Sequence, residues 1–413
     1  MRRILAAAAV LFLLLVVGLV LFATRPWSAY DPLTMNALFA PDRRVANFRH
    51  MDAVFPARRI DASPAPHAFP HAERPLDVHY RFGGERRTLD GFLERITATG
   101  LLVLKDGRIV HERYLNGADA DSRLTSWSVA KSFVGTLVGM AAAEGRIDSL
   151  DDPITDYVPE LAGTGYDGVP IRDVLRMASG VDFEEVYDDR LSDINRFFLK
   201  VFLFGWRADE ATADYGRARP PGEVFHYISL NTQALGMLLR AVHGGRALPA
   251  ILEEKLWHPL GAGDAFWNID RDKAGGTALA FCCLNARLRD YARLGQLYLQ
   301  KGRWRGERLL PADWVRAATT PDAPYLEPGA SPYPYGPRGY GYHWWVPADY
   351  APGEYFASGV WGQYIYVSEP DDLVIARTAV DPHYHQNTAE SIAVFRAIRD
   401  ALREPGEKPG DQD

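Results

Sequence analysis

Twenty consecutive residues near the start of the chain, Ile4 to Ala23, carry no charge and no strongly polar group, and Met1, Arg2 and Arg3 stand before them. No other stretch restricts the fold as hard. In hydrocarbon every backbone N–H and C=O needs a partner from its own segment, and an uninterrupted apolar run meets that need as a helix. At ~1.5 Å rise per residue it spans roughly 30 Å, the thickness of a bilayer core. Two arginines in front and Arg25 behind favour an N-terminus left inside. A secretory signal has a shorter apolar region, of about 7–15 residues, with small residues before its cut. Val20-Leu21-Phe22-Ala23 is a poor match to that pattern. Residues 1–25 are therefore expected to be an uncleaved, single-pass anchor in a bacterial inner membrane. The body would then lie in the periplasm or outside the cell.

Behind the anchor, residues 26–85 read as a leader. Eight prolines fall between residues 26 and 75, with Ser63-Pro64-Ala65-Pro66 as one cluster. Proline removes an N–H and fixes φ, so an extended path is expected, with Val45 to Phe55 packing on the body. The charged tail, residues 404–413, is expected to fray. The remaining chain, residues 86–403, has ample material for a core, since hydrophobic residues are 47% of the 413. Acidic residues outnumber basic ones, 53 against 46, a net charge of −7 that speaks against a nucleic-acid partner. The two cysteines, Cys282 and Cys283, are too few for a disulfide framework or a cysteine metal site. Adjacent and in an apolar stretch, they are expected to be buried thiols.

Local patterns then fill in the body. Gly100 to Lys105 and Arg108 to Tyr114 flank Asp106-Gly107, a pair suited to a positive-φ hairpin turn. Ser128 to Ala143 reads as a buried helix ended by Gly145, and Ile171 to Met177, Thr232 to Val242 and Leu288 to Leu299 show helical spacing. Gly341 to Val346, Gln363 to Val367 and Leu373 to Thr378 read as strands. Strands at both ends with helices between predict one α+β domain. Its antiparallel sheet closes from distant segments and is flanked by helices, with a helical subdomain inserted at about 148–290.

The chemistry centres on Ser128-Val-Ala-Lys131. Positions i and i+3 share a helix face, so hydroxyl and amine meet one turn apart. Serine is a weak nucleophile until a base takes its proton, and a desolvated lysine can be that base. With 14 Ser and 7 Lys in the chain, chance supplies roughly 0.24 such patterns, so the context has to decide. The context is informative. Arginine carries 39 of the 46 basic positions, yet this one, between Val129, Ala130, Phe133 and Val134, is lysine.

Thr125 to Phe133, Glu144 to Pro153 and Ile171 to Gly180, in that order, resemble serine hydrolases of the β-lactamase fold, the relatives of class C β-lactamases. Trp127, the Val45-Ala-Asn-Phe48 leader and Gly359-Val-Trp-Gly-Gln363 are most similar to 6-aminohexanoate-dimer hydrolases. The resemblance implies a β-lactamase/transpeptidase-like fold and an acyl-enzyme on Ser128. It implies Lys131 and Tyr227, the latter in Tyr227-Ile-Ser229, as the groups that move the proton. It also implies an oxyanion hole from the N–H groups of Ser128 and Val360. Tyr187, Ser229, Gly359 and Trp361 are placed around the substrate, and His226 is expected to be structural. No cofactor and no metal are implied; His383 and His385 lack a third ligand. Two departures bear on substrate. The third family motif, Lys-Thr-Gly, is here Ala357-Ser-Gly359, and the asparagine of the second motif is Ser229. Both weigh against penicillin recognition and towards a small ester or amide. A β-lactamase or D-Ala peptidase on the same scaffold, and an idle cell-wall binding module, stay open at this point.

Overall fold

The computed structural model describes residues 1–25, 27–272, 275–330 and 337–403; the tail at 404–413 lies outside them. At its centre is a seven-stranded antiparallel sheet. In chain order its strands are β1 (Ala98–Lys105), β2 (Arg108–Tyr114), β3 (Gly339–Tyr340), β4 (Trp345–Val346), β5 (Glu354–Gly359), β6 (Gln363–Ser368) and β7 (Leu373–Ala379). Their spatial order is β3-β4-β5-β6-β7-β1-β2, so the first hairpin docks beside the last strand. The hairpin forms where Asp106-Gly107 predicts it, with φ of 53° and 70° at the two turn residues.

Period-two burial gives the sheet two apolar faces. Leu102 and Leu104 of β1 and Val374 and Ala376 of β7 point to one face, while Leu101, Val103, Leu373 and Ile375 point to the other. The first face receives helix α4 (Leu288–Leu299), whose span matches its leucine spacing. Gly295 lets it close in: a Cβ there would sit 2.5 Å from Val374 Cγ1. The second face receives α5 (Thr388–Leu402), where the Phe395 ring lies 5.5 Å from Tyr364 and 5.3 Å from Tyr366. The outer edge of β2 does not face water bare. Leader residues run along it, with Ala72 N–H donating to the Ile109 carbonyl and Ile109 N–H to that of Pro70, both at 2.8 Å.

Helix α2 (Ala130–Ala143) is buried on all sides from Ala130 to Ala141, and lies against α3 (Ser229–Val242). A helix apolar all round belongs inside a domain. Phe133, fully buried on it, contributes about 2–3 kcal/mol by removal from water. Its two glycines are contact points, since a Cβ on Gly139 would meet the Trp314 ring at 2.4 Å. A second sheet, in the order Ala57–Ile60, Ala265–Asn268, Leu284–Ala286, Leu124–Thr125, ties the leader to the segment before α2. The N-terminal helix α1 (Arg2–Thr24) is long and apolar enough to cross a membrane, with mean hydropathy 3.2 and none of its apolar window buried.

Three expectations need correction. The leader is not simply extended: Pro32–Ala37, Arg44–Arg49 and Met51–Val54 are short helices. Pro32 occupies the first helical turn, where no N–H is needed, and the stretch between Pro41 and Pro56 holds no proline. Gly341 to Val346 is not one strand. The chain leaves the sheet after Tyr340 and returns at Trp345, because His343 (φ 62°) turns inward to Thr232 and the Leu175 carbonyl. The cysteines are buried but are not thiols: Cys282 and Cys283 form a disulfide with each other. Cys283 takes a positive φ of 67° there.

Candidate active site

Ser128 stands on a tight turn, Trp127–Val129, that leads directly into α2. Trp127 before it has φ 43°, a conformation that costs a non-glycine residue about 1–3 kcal/mol and needs support from its surroundings. The support is visible. Ser126 N–H donates to the Leu284 carbonyl at 2.8 Å, and the Leu284 N–H returns to Ser126 Oγ at 3.1 Å. The Ser126 hydroxyl itself caps the Trp127 carbonyl at 2.9 Å.

One turn along α2, Lys131 Nζ lies 3.0 Å from Ser128 Oγ and 3.0 Å from the Phe281 carbonyl. The lysine is 2% exposed. Burial disfavours its charged form and brings its pKa down to about 8, against a smaller upward pull from the Glu185 carboxylate. A hydroxyl and a carbonyl are its direct partners, and among the described residues no carboxylate pairs with it.

Tyr227 arrives from the extended residues before α3. Its hydroxyl hydrogen-bonds the Ser128 side chain, and its ring centroid is 5.1 Å from Lys131 Nζ. The ring leans on Trp345 at 5.3 Å and meets Tyr340 edge-on at 6.2 Å. Burial, then the neighbouring Tyr340 and Glu185, push its phenol well above the usual range, so it is neutral in the resting site. The hydroxyl, amine and phenol expected to gather are thus within contact of one another. His226, beside Tyr227, bonds the Phe183 carbonyl at 2.7 Å.

Strand β5 closes the other side. A Cβ on Gly359 would lie 2.6 Å from the Ser126 carbonyl and 3.1 Å from Ser128 N, so only glycine allows this approach. The strand end therefore runs directly against the nucleophile's own N–H, with Val360 next in the chain. Ala357, where penicillin-recognising relatives have lysine, is buried and presents only a methyl group. Trp361 follows with φ 63° and packs edge-on against Phe48 at 5.5 Å.

Tyr187 and Ser229 are brought to the same place by a residue that sequence reasoning did not single out. Glu185 accepts from the Tyr187 hydroxyl at 2.7 Å and from Ser229 Oγ at 2.8 Å, and also takes the Ser229 N–H. It sits at the N-terminus of α3, where a negative charge is favoured. The signal available in the sequence was its place two residues before Tyr187. Nothing local ties it to Ser229, 44 residues on. The leader packs on the body here, as expected for Val45 to Phe55: Phe48, together with Phe39, which the sequence did not mark, packs on both Trp127 and Trp361, next to Ser128 and Val360. Among the described residues no group of three His, Cys, Asp or Glu side chains is arranged to hold a metal ion.

A buried Ser–Lys pair with a phenol on the serine, under a sheet of this topology, defines a class. Residues 86–395 match the beta-lactamase family, and the chain belongs to it, a serine hydrolase of β-lactamase/transpeptidase-like fold. Among named proteins it is similar to the 6-aminohexanoate-dimer hydrolase of Paenarthrobacter ureafaciens, at 32% identity over 314 residues, 72% of this chain and 77% of that one. A Bacillus anthracis protein provisionally named a 6-aminohexanoate-dimer hydrolase shares the fold, with a TM-score of 0.78 at 22% identity, over 89% of this chain and 97% of that one. EstCE1, described as a hydrolase with promiscuous acyltransferase activity, also shares it, with a TM-score of 0.62 at 15% identity over 75% and 96% of the two chains.

Proposed function

We propose that this chain hydrolyses a small ester or amide through an acyl-enzyme on Ser128, on the outer side of a bacterial inner membrane to which α1 anchors it. The observation that carries the reading is the 3.0 Å approach of a 2%-exposed lysine amine to a serine hydroxyl, with Tyr227 on the same oxygen. With a pKa of about 8, roughly a tenth of the amine is neutral at pH 7, enough to take a proton without a large driving-force penalty.

In the forward step Ser128 Oγ attacks the carbonyl carbon while its proton passes to the Lys131–Tyr227 pair. The developing oxyanion is held by the N–H groups of Ser128 and Val360; backbone donors survive the loss of the family's third-motif lysine. The Tyr227 phenol then hands a proton to the leaving alkoxide or amine. Water repeats the sequence on the acyl carbonyl and restores the serine. Tyr187 and Ser229, held by Glu185, with Gly359 and Trp361 opposite, form the walls against which the substrate lies.

A linear amide or ester is favoured over a β-lactam, because Ala357 offers no cation for a lactam carboxylate. A likeness to a 6-aminohexanoate-dimer hydrolase supports a linear amide of that kind as one candidate substrate. The test is a panel of short-chain p-nitrophenyl esters, linear amide dimers, D-amino-acid peptides and nitrocefin. Ester or amide turnover that vanishes in Ser128→Ala supports the reading. Nitrocefin turnover of equal rate supports a β-lactamase, and failure of a fluorophosphonate to label Ser128 supports an idle binding module.

A further inference from the structure

Outside α1, the exposed large apolar side chains among the described residues fall in two stretches only, residues 27–39 and 191–224. They include Trp27 at 67% exposure and Phe204 at 69%, with Leu33, Phe39, Leu199 and Trp206. Aromatic and leucine side chains grouped in this way on a water-facing surface mark an interaction site.

The two stretches meet each other, and they meet where the chain leaves α1. Arg25, the residue that caps α1, donates from its guanidinium to the Phe202 carbonyl at 3.1 Å. The Tyr30 ring stacks on Phe202 at 4.5 Å, and Phe202 stacks on Phe198 at 5.7 Å. Leu199, Phe204 and Trp206 thus project from a segment tied to the end of the membrane-length helix. The other end of the same patch reaches the active site. Phe39 is 43% exposed and lies 6.0 Å from the Trp127 ring and 5.6 Å from Trp361. Only 14 residues, 25 to 38, join α1 to that position, and six of them, Pro32–Ala37, are wound into a helix. With those six residues helical such a link reaches at most about 40 Å, and the Arg25–Phe202 bond holds its start against the body, so the rim lies on the side of the body that α1 leaves from.

We infer that this apolar rim docks on the surface of the bilayer that holds α1, and that the site opens towards it and takes acyl esters or amides of amphiphiles carried in the membrane. The inference rests on the proposed anchored hydrolase. Phe, Trp and Leu side chains that enter the interfacial region gain by burial, and an anchored chain presents them there without a translational cost. The occupant is a lipid surface of no particular charge. Asp188, Asp189 and Arg190 precede Leu191, and along the rim Arg196 pairs with Asp193, Lys200 with Asp214 and Arg207 with Glu210, so these cations are matched by carboxylates and do not select anionic headgroups.

The full chain in phosphatidylcholine nanodiscs tests this. The Phe204→Ser/Trp206→Ser variant is compared with wild type on p-nitrophenyl acetate, which is soluble, and on p-nitrophenyl palmitate dissolved in the nanodisc. The expected result is unchanged acetate turnover and a loss of about fivefold or more on palmitate. Equal turnover of both substrates by variant and wild type overturns the inference. If the double variant loses acetate turnover as well, Trp206→Phe in lipids brominated on their chains decides. The fluorescence component it removes should be quenched in wild type, and an unquenched component overturns the inference. Acetate turnover that survives Ser128→Ala, or a chain recovered without nanodiscs, counts instead against the anchored hydrolase itself.

Discussion

Lys131→Met separates what the lysine does for catalysis from what it costs the fold. Burial lowers the amine from its ordinary 10.5 to about 8. At about 1.36 kcal/mol per pKa step, that is about 3 kcal/mol of native-state cost. The sign follows from proton binding. Between pH 8 and pH 10.5 the unfolded chain holds the lysine proton and the native chain does not, so stability rises with pH through that window. Below about pH 8 the cost is fully present; above 10.5 it is gone. Methionine is of similar length and removes the cost, but it leaves the Phe281 carbonyl without this donor, about 1–3 kcal/mol for a buried group, and takes one of two partners from Ser128 Oγ. Those losses do not change across the window. The difference in unfolding free energy between variant and wild type therefore moves in favour of wild type by most of about 3 kcal/mol from pH 7 to pH 10, whatever its value at pH 7. Urea unfolding of both proteins in the same detergent at the two pH values measures it. The variant should also lose hydrolysis at both. A difference that stays constant with pH would mean that the folded lysine titrates normally, and the argument for it as a base would fall.

Three further outcomes follow from the same geometry. Glu185→Gln removes the negative charge that holds the Lys131 amine up, so the acid limb of kcat/KM should move to lower pH, while kcat falls as an amide NH2 replaces the oxygen that accepts the Ser229 N–H; a pH–rate profile of both proteins checks it. Gly359→Ala drives a Cβ into the Ser126 carbonyl and should cost about 1–3 kcal/mol of stability and most activity, read by urea unfolding and ester turnover. Denatured but unreduced protein should take up no iodoacetamide, and reduced protein should take up two equivalents, one each at Cys282 and Cys283, by intact mass.

What was legible in the sequence follows the range of the interactions. Asp106-Gly107 specifies its own turn, and the leucine spacing of residues 288–299 specifies its own helix, so both were readable from neighbours in the chain. Ser128 and Lys131 are one turn apart, so the helix alone joins them. Tyr227 was found through a motif that resembles a family's, since no local rule brings it to Ser128. The misses were set by distant contacts. His343 breaks an apparently alternating strand because Thr232 and Leu175 bond its ring in the interior, and its pKa falls to about 3 by burial, so it stays neutral there. Glu185 has one partner two residues on and the other 44 residues on, and Phe39 packs against Trp127 and Trp361 with no periodicity to announce it. The disulfide depends on a left-handed turn at Cys283 that nothing in the flanking residues demands.

The covalent intermediate gives the most direct test. The protein is mixed with excess p-nitrophenyl ester, quenched in acid within the first turnover, digested and mapped by mass spectrometry. Ser128 should carry the acyl mass, the burst of nitrophenol should equal the enzyme concentration, and Ser128→Ala should show neither. Continued ester turnover by Ser128→Ala, or an acyl group found on another residue, would contradict the assignment of the nucleophile and the proton path built around it.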